Sequence, residues 1–354
     1  MIRTLDLYVM RSIAVPTCLV AFTLLVISSI MALVDELETA ERIGYGLGVT
    51  LQFVVLNLPA AIYQLAPTTM LLGALLGLGA LANGSELVVM RASGISIKRI
   101  GTATAFGGVL FAAFVFFLGD WLVPLSNETA YDLRTEARYA GQRHSDGGLW
   151  LREGNHYIHI EETYAGSHLG RLHKYDFDKN NRLTGTMVAD SAVYSPEGWQ
   201  LSNVRESIVE KQRISTRHSA SRLWDVNLDP GLLRLSSVQA ESLTAAGLWD
   251  YAHYLERNGL DSEDYEVALW RKIAMPITIV VMSLLAIPFV VGSLRSSGAG
   301  QRLFVGILLG IGFFLMNEIV GSSGQVYGLQ PWATAMLPTL ILAVVTLFAL
   351  DRIN

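Results

Sequence analysis

The sequence predicts an α+β membrane protein: six transmembrane helices with a β-jelly-roll-like domain inserted between the third and fourth. Three observations carry this class. Long uncharged runs fill both ends of the chain, most Asp, Glu, Lys and Arg fall in the middle, and the middle alternates polar and apolar residues between regular turn signals. The 354 residues are 51% hydrophobic and only 16% charged, where soluble domains average about 25% charged.

The first crossing is residues 12–34, which carry no charge. A hydrocarbon core of about 30 Å needs about 20 apolar residues at 1.5 Å rise each. A cleavable leader has an apolar core of about 7–15 residues that ends in small residues. This run is longer and ends in Asp35-Glu36-Leu37-Glu38, so it reads as an anchor. Residues 49–82 are also uncharged and as one helix would reach roughly 50 Å. Pro59 and Pro67 can break such a helix. The expected division is an interfacial helix over Tyr45–Leu58 and one crossing over Ile62–Ala82. The later crossings are plainer: Ile100–Leu122, Ile273–Leu294, Leu303–Val320 and Trp332–Leu350.

Orientation follows from Lys and Arg in short loops. With the N-terminus inside, the inner segments hold Arg3, Arg11, Arg91, Lys98, Arg99, Arg295, Arg302 and Arg352. The outer short loops hold only Arg42, amid Asp35, Glu36, Glu38 and Glu41, and residues 321–331 hold no Lys or Arg. Splitting 49–82 into two crossings would put the basic 91–99 stretch outside. Six crossings with both termini inside is the consistent solution, which divides the chain into 1–122, a central domain 123–270 and 271–354.

The central domain opens with a polar helical lead-in, Asn127–Ala140. Leu149–Leu151, Tyr157–Ile160, Leu172–Phe177 and Ala192–Tyr194 then alternate as short strands. They are punctuated by Gly147-Gly148, Glu153-Gly154-Asn155, Lys179-Asn180-Asn181 and Pro196-Glu197-Gly198. Short strands at such spacing predict a sandwich or jelly roll. Leu243–Gly259 reads as a helix returning the chain to the membrane.

Several chemistries are disfavoured. The chain has no Gly-Lys pair, so it lacks the phosphate-binding loop of nucleotide hydrolases. No Gly-x-Ser-x-Gly nucleophile turn occurs. Cys18 is the lone cysteine, which excludes an internal disulfide framework and a thiolate metal cage. His156 and His159 are three apart on an expected strand and point to opposite faces, so no metal site is read there. The net charge of −5 carries no basic stripe for nucleic acid. Asp120 and Glu318 are the only acidic groups within the spans. Both lie near outer ends, which is thin for a proton relay, and with Asn317 they could instead line an outward-opening cavity.

The segment Asn83-Gly84-Ser85-Glu86-Leu87-Val88-Val89-Met90-Arg91-Ala92-Ser93-Gly94 is a short amphipathic helix between two crossings. Ser85 is placed to cap it, Leu87, Val88 and Met90 form its apolar side, and Gly94 can end it. The small residues just before it put Gly73 and Gly77 four apart, a spacing that allows close helix approach.

Together with Leu71–Gly79, this segment resembles the lipopolysaccharide-export ABC permeases of the LptF/LptG family, and most nearly their G-type members. Leu5-Asp6-Leu7-Tyr8, Val34-Asp35-Glu36-Leu37, Gly148-Leu149-Trp150 and Gly292-Ser293-Leu294-Arg295-Ser296 extend the likeness along nearly the whole chain. The resemblance implies a bacterial inner-membrane, non-catalytic permease subunit with a periplasmic jelly roll and cytoplasmic termini. It implies an F-type partner permease, a cytoplasmic LptB-type ATPase dimer that uses the ATP, and delivery of lipopolysaccharide to LptC and LptA. No cofactor is expected. The family's coupling glutamate maps onto Glu86, so Ser85, Glu86, Leu87, Met90 and Arg91 become the expected ATPase contact.

Family members carry lysines for lipid A phosphates at the outer end of the first helix, where this sequence has Ala32, Glu38 and Thr39. Arg42, Arg271 and Lys272 are the substitutes expected in their place, with Asn317 and Glu318 as further expected lipid contacts. The first and fifth crossings are expected to flank a lateral gate, and exposed strand edges to accept a similar domain by strand addition. Two other classes fit the residues: an ion-coupled carrier, and a membrane-anchored assembly or receptor protein without transport.

Overall fold

The computed structural model describes residues 4–139, 149–161, 163–164, 168–178, 182–195, 198–210, 213–224, 240–292 and 297–353. Arg3, Ala140, Gly147-Gly148, Lys179-Asn180-Asn181, Pro196-Glu197 and Ser293–Ser296, which carry parts of the readings above, lie outside the described residues. The chain divides into a helical unit, Met1–Arg138 with Glu263–Asn354, and a strand-rich unit, Tyr139–Ser262. The flanks 123–138 and 263–270, expected in the central domain, fall in the helical unit.

Among the described residues, six helices are long and apolar enough to cross a membrane. The first is α1, Thr4–Ile43, and the second is α2, Leu47–Asn83. Gly44, at φ +89°, makes the turn between them, and the Tyr45 hydroxyl donates to the buried carboxylate of Glu36 beside it. The expected interfacial helix over 45–58 is not separate: α2 runs through Pro59 and Pro67 without a break. A proline removes one hydrogen bond, whereas a break within an apolar run would expose several backbone groups to hydrocarbon. Continuity is the cheaper solution.

A seven-residue helix, α3 (Glu86–Ala92), follows, and then α4 (Ile97–Phe117). A π-helical segment, Leu118–Leu122, joins α4 directly to α5, Val123–Tyr139. After the strand-rich unit come α7 (Glu263–Val291), α8 (Ala299–Tyr327) and α9 (Pro331–Asp351); α6, Ala245–Arg257, belongs to the strand-rich unit. Glycines set the closest approaches. A Cβ at Gly77 would lie 2.3 Å from the Ser12 carbonyl and 2.8 Å from Ile13 Cα, and one at Gly73 would lie 2.0 Å from the Thr17 hydroxyl. The small-residue spacing thus packs α2 on α1 within the chain. Val9, Ile13, Met70, Leu71, Leu75, Leu78, Met282 and Ala286 share one apolar core.

Among the described residues, the strand-rich unit holds one antiparallel sheet of nine strands. They are β1 (Leu149–Glu153), β2 (His156–Ile160), β3 (Thr163–Tyr164), β4 (His168–Leu169), β5 (Leu172–Phe177), β6 (Leu183–Ala189), β7 (Ser191–Ser195), β8 (Gly198–Glu210) and β9 (Arg213–Trp224). The order is β1-β2-β5-β6-β8-β7-β4-β3, with β9 also on β8. The long β8 pairs with β7 through Ser202–Gly198 and with β6 through Arg205–Ile208. The sheet therefore folds over, and Leu151, Ile158 and Leu172 meet Leu169, Ala192, Trp199 and Leu201 in a single core. This is the jelly-roll-like domain that the alternation predicts, between the third and fourth crossings.

Candidate coupling and lipid-contact sites

Residues at the α3 end of the helical unit form the first candidate site. A helix of two turns has little stability of its own, so its ends and anchors decide its position. Its C-terminus is closed by a Schellman motif: Ile95 N–H donates to the Met90 carbonyl and Gly94 N–H to the Arg91 carbonyl, with Gly94 at φ +89°. The N-terminus differs from expectation. Ser85 occupies the cap position but is left-handed, at φ 60°, and its side chain makes no capping bond. The left-handed turn denies Ser85 the extended backbone from which a cap side chain reaches the first helical N–H groups, so Ser85 shapes the turn rather than capping it.

The inner face of α3 is Leu87 and Met90, both buried; Val88 and Val89 are exposed, a correction to the expected apolar side. Arg91 is exposed. Glu86 is half-buried, and its Oε2 accepts a 2.6 Å hydrogen bond from the Tyr8 hydroxyl of α1. Beside α3 lies a groove of about 310 Å³ lined by Ala82, Leu87, Val88, Arg91, Ala92, Val290 and Val291. A carboxylate, a guanidinium, the exposed Val88 and Val89, and a groove lined by aliphatic side chains and Arg91 are thus brought together at one short element. That set can bind a protein surface carrying a cation and an apolar side chain. Sequence reading missed the bonds around it: Asp6 accepts from Arg99 at 3.1 Å, and Asn83 Oδ1 accepts from Arg302 at 2.8 Å. Nothing in local periodicity signals contacts 93 and 219 residues apart.

The expected lipid contacts sit on three helices, Arg42 on α1, Arg271 and Lys272 on α7, and Asn317 and Glu318 on α8. Arg42 is exposed and paired with Glu38 one turn back on α1. Lys272 is 5% exposed, and its ammonium donates to the Gly119 carbonyl at 3.0 Å and to Asp120 at 3.4 Å. A π-helical turn displaces one backbone step and often marks a functional position; here it presents Gly119 and Asp120 to Lys272. The Tyr63 ring fills the space where a Gly119 Cβ would stand, 2.2 Å away. Arg271 Nη2 lies against Gly321 of α8, 2.4 Å from where a Cβ would sit. Asn317 is partly buried and Glu318 exposed, one turn before Gly321 on the same helix. In the strand-rich unit, His156 pairs with Asp176 and His159 lies against the rings of Trp150 and His173.

A model of the family "Lipopolysaccharide export system permease LptF/LptG" matches residues 7–352. The lipopolysaccharide export system permease protein LptG of Haemophilus influenzae is 34% identical over 355 residues, covering 99% of both chains. The protein of that name from Escherichia coli K12 is 33% identical over 352 residues, covering 98% of both.

Proposed function

The chain belongs to the lipopolysaccharide export system permease family LptF/LptG, and from that membership we propose that it is the G-type permease subunit of a lipopolysaccharide exporter. It extracts lipopolysaccharide from the inner membrane and passes it toward a periplasmic bridge. It is a multi-pass inner-membrane protein, and its fold is the one the family resemblance implies: six spans and an inserted strand-rich unit.

The observation that carries the mechanism is the composition of the α3 end: Glu86, Arg91 and a groove on a helix anchored by Leu87 and Met90. An LptB-type ATPase dimer, which hydrolyses the ATP, grips this end from the cytoplasm. An F-type permease completes the path. The opposite end faces the periplasm, where LptC and then LptA receive the lipid. The basic residues Arg91, Lys98, Arg99 and Arg302, near or beside α3, support that orientation by the positive-inside rule. Among the described residues β9 pairs with β8 alone, which supports strand addition by a similar β domain.

At the other end of the helical unit, Arg42 and Arg271 supply cations for the lipid phosphates, and Asn317 with Glu318 supplies polar contacts to the head group. Lys272 acts one layer inside, bound to Asp120. Reversing the charge at Glu86 tests the coupling assignment. Glu86→Arg is expected to release the ATPase subunit during purification and to abolish lipid-stimulated hydrolysis; normal stimulation in that variant overturns the assignment.

A further inference from the structure

Because α3 has only seven residues, any push on it goes wherever it is tied. Besides the buried Leu87 and Met90, two hydrogen bonds at this end reach other membrane helices. Just before α3, Asn83 Oδ1 accepts from Arg302 of α8; on α3 itself, Glu86 Oε2 accepts from Tyr8 of α1. Arg302 is 1% exposed, and its guanidinium packs on Gly79, where a Cβ would meet Nη1 at 2.5 Å. A glycine at that position is what lets the long side chain cross from α8 to the end of α2. A third contact, Asp6 with Arg99, holds the start of α1 to the start of α4, so Tyr8 is itself fixed.

The receiving helices share a property. Only 11% of the most apolar stretch of α1 and of α8 is buried, against 72% for α2 and 50% for α7. Elements with few buried contacts move at lower cost than elements locked in a core. One bond therefore runs from Glu86 of α3 to α1 and the other from Asn83, the last residue of α2, to α8, the two spans whose most apolar stretches are least buried; α1 is held to α2 besides, at Gly73 and Gly77. A carboxylate accepts several hydrogen bonds, so Glu86 can hold Tyr8 through one oxygen while the other meets a partner's cation.

We propose that Tyr8 and Arg302 are positioning residues that carry a displacement of α3 to α1 and α8, with Glu86 and Asn83 as the groups through which they are moved. The inference rests on the reading of α3 as the ATPase contact. ATP-driven movement at the cytoplasmic face then reaches the two spans expected to flank the lateral gate through these two hydrogen bonds as well as through helix packing.

The test uses the whole transporter, with its partner subunits, in liposomes loaded with lipopolysaccharide. Three quantities are read: ATPase subunit retained, ATP hydrolysed, and lipid released per ATP. Tyr8→Phe removes one hydroxyl from a half-exposed ring, and Asn83→Ala removes one acceptor from the buried Arg302, a loss for which Asn83→Asp is the control. Each is expected to retain the ATPase subunit and lower lipid released per ATP about three- to tenfold, the scale set by one lost hydrogen bond. Asn83→Asp, which offers Arg302 a carboxylate, is expected to keep the native ratio. A native ratio in either first variant removes its residue from the proposal, and in both overturns it, while Glu86→Arg still uncouples if α3 is the contact. Loss of the ATPase subunit in step with lipid release overturns it too, since the bonds would then only shape a docking face. If Glu86→Arg hydrolyses ATP normally, the reading of α3 fails and this inference fails with it.

Discussion

Removing Asp120 and removing Lys272 break the same ion pair, yet the two losses are not equivalent. Lys272 has 6% of its side chain exposed and Asp120 has 36%. Without Asp120 the ammonium stays buried with the Gly119 carbonyl but no countercharge, the costly case for an ion pair. Without Lys272 the aspartate can turn to water. Asp120→Ala is therefore expected to destabilise by about 2 kcal/mol, Lys272→Met by less, and the double change by less than Asp120→Ala alone. Thermal unfolding of the detergent-purified subunit measures the order; Lys272→Met as the worst of the three would refute it. This pair marks where residue-scale reading stops. Both charges were visible near span ends, but only the π-helical segment, which no composition signals, turns Asp120 and the Gly119 carbonyl toward Lys272. The short helix around Glu86 was legible because it stands out between two apolar runs; the role expected of Glu86 came from the family resemblance, and its bond to Tyr8 from neither.

At the scale of elements, α2 is held to α1 by backbone approach. A methyl group at Gly77 meets the Ser12 carbonyl and Ile13 Cα, which cannot swing aside, whereas one at Gly79 meets the flexible arm of Arg302. Gly77→Ala is expected to cost about 1–3 kcal/mol by overpacking. Gly300→Ala, in open space in the first turn of α8, is expected to be neutral or stabilising by up to about 1 kcal/mol. Unfolding midpoints of the two variants check this, and equal midpoints would contradict it. The same helix shows why proline misled the sequence reading: Pro59 and Pro67 mark lost bonds, not ends. In the sheet, four strands were legible from alternation, while β3, β4, β6, β8 and β9 were not. The inward positions of β8 are Trp199 and Leu201 and then Val204, because Asn203, at φ 52°, inverts the phase between them. β9 is exposed along nearly its whole length, so no buried face imposes a period.

For the whole molecule, six spans were legible because the hydrocarbon layer imposes one rule on every crossing, length without charge. Sidedness rests on a weaker asymmetry, the distribution of Lys and Arg among short loops, and it decides which end meets ATP. Single cysteines resolve it. The native Cys18 is exposed on α1, so it is first replaced by Ser; Ser85→Cys and Ser215→Cys then report on α3 and on β9. In intact cells with a permeable outer membrane, a membrane-impermeant maleimide is expected to label position 215 at once and position 85 only after the inner membrane is opened. Labelling of both from one side would place the ATPase contact and the strand-rich unit in the same compartment. The chain could not then take energy from one face and deliver lipid at the other, because that transfer needs an odd number of crossings between them. One such crossing, α4, joins the two sites in sequence.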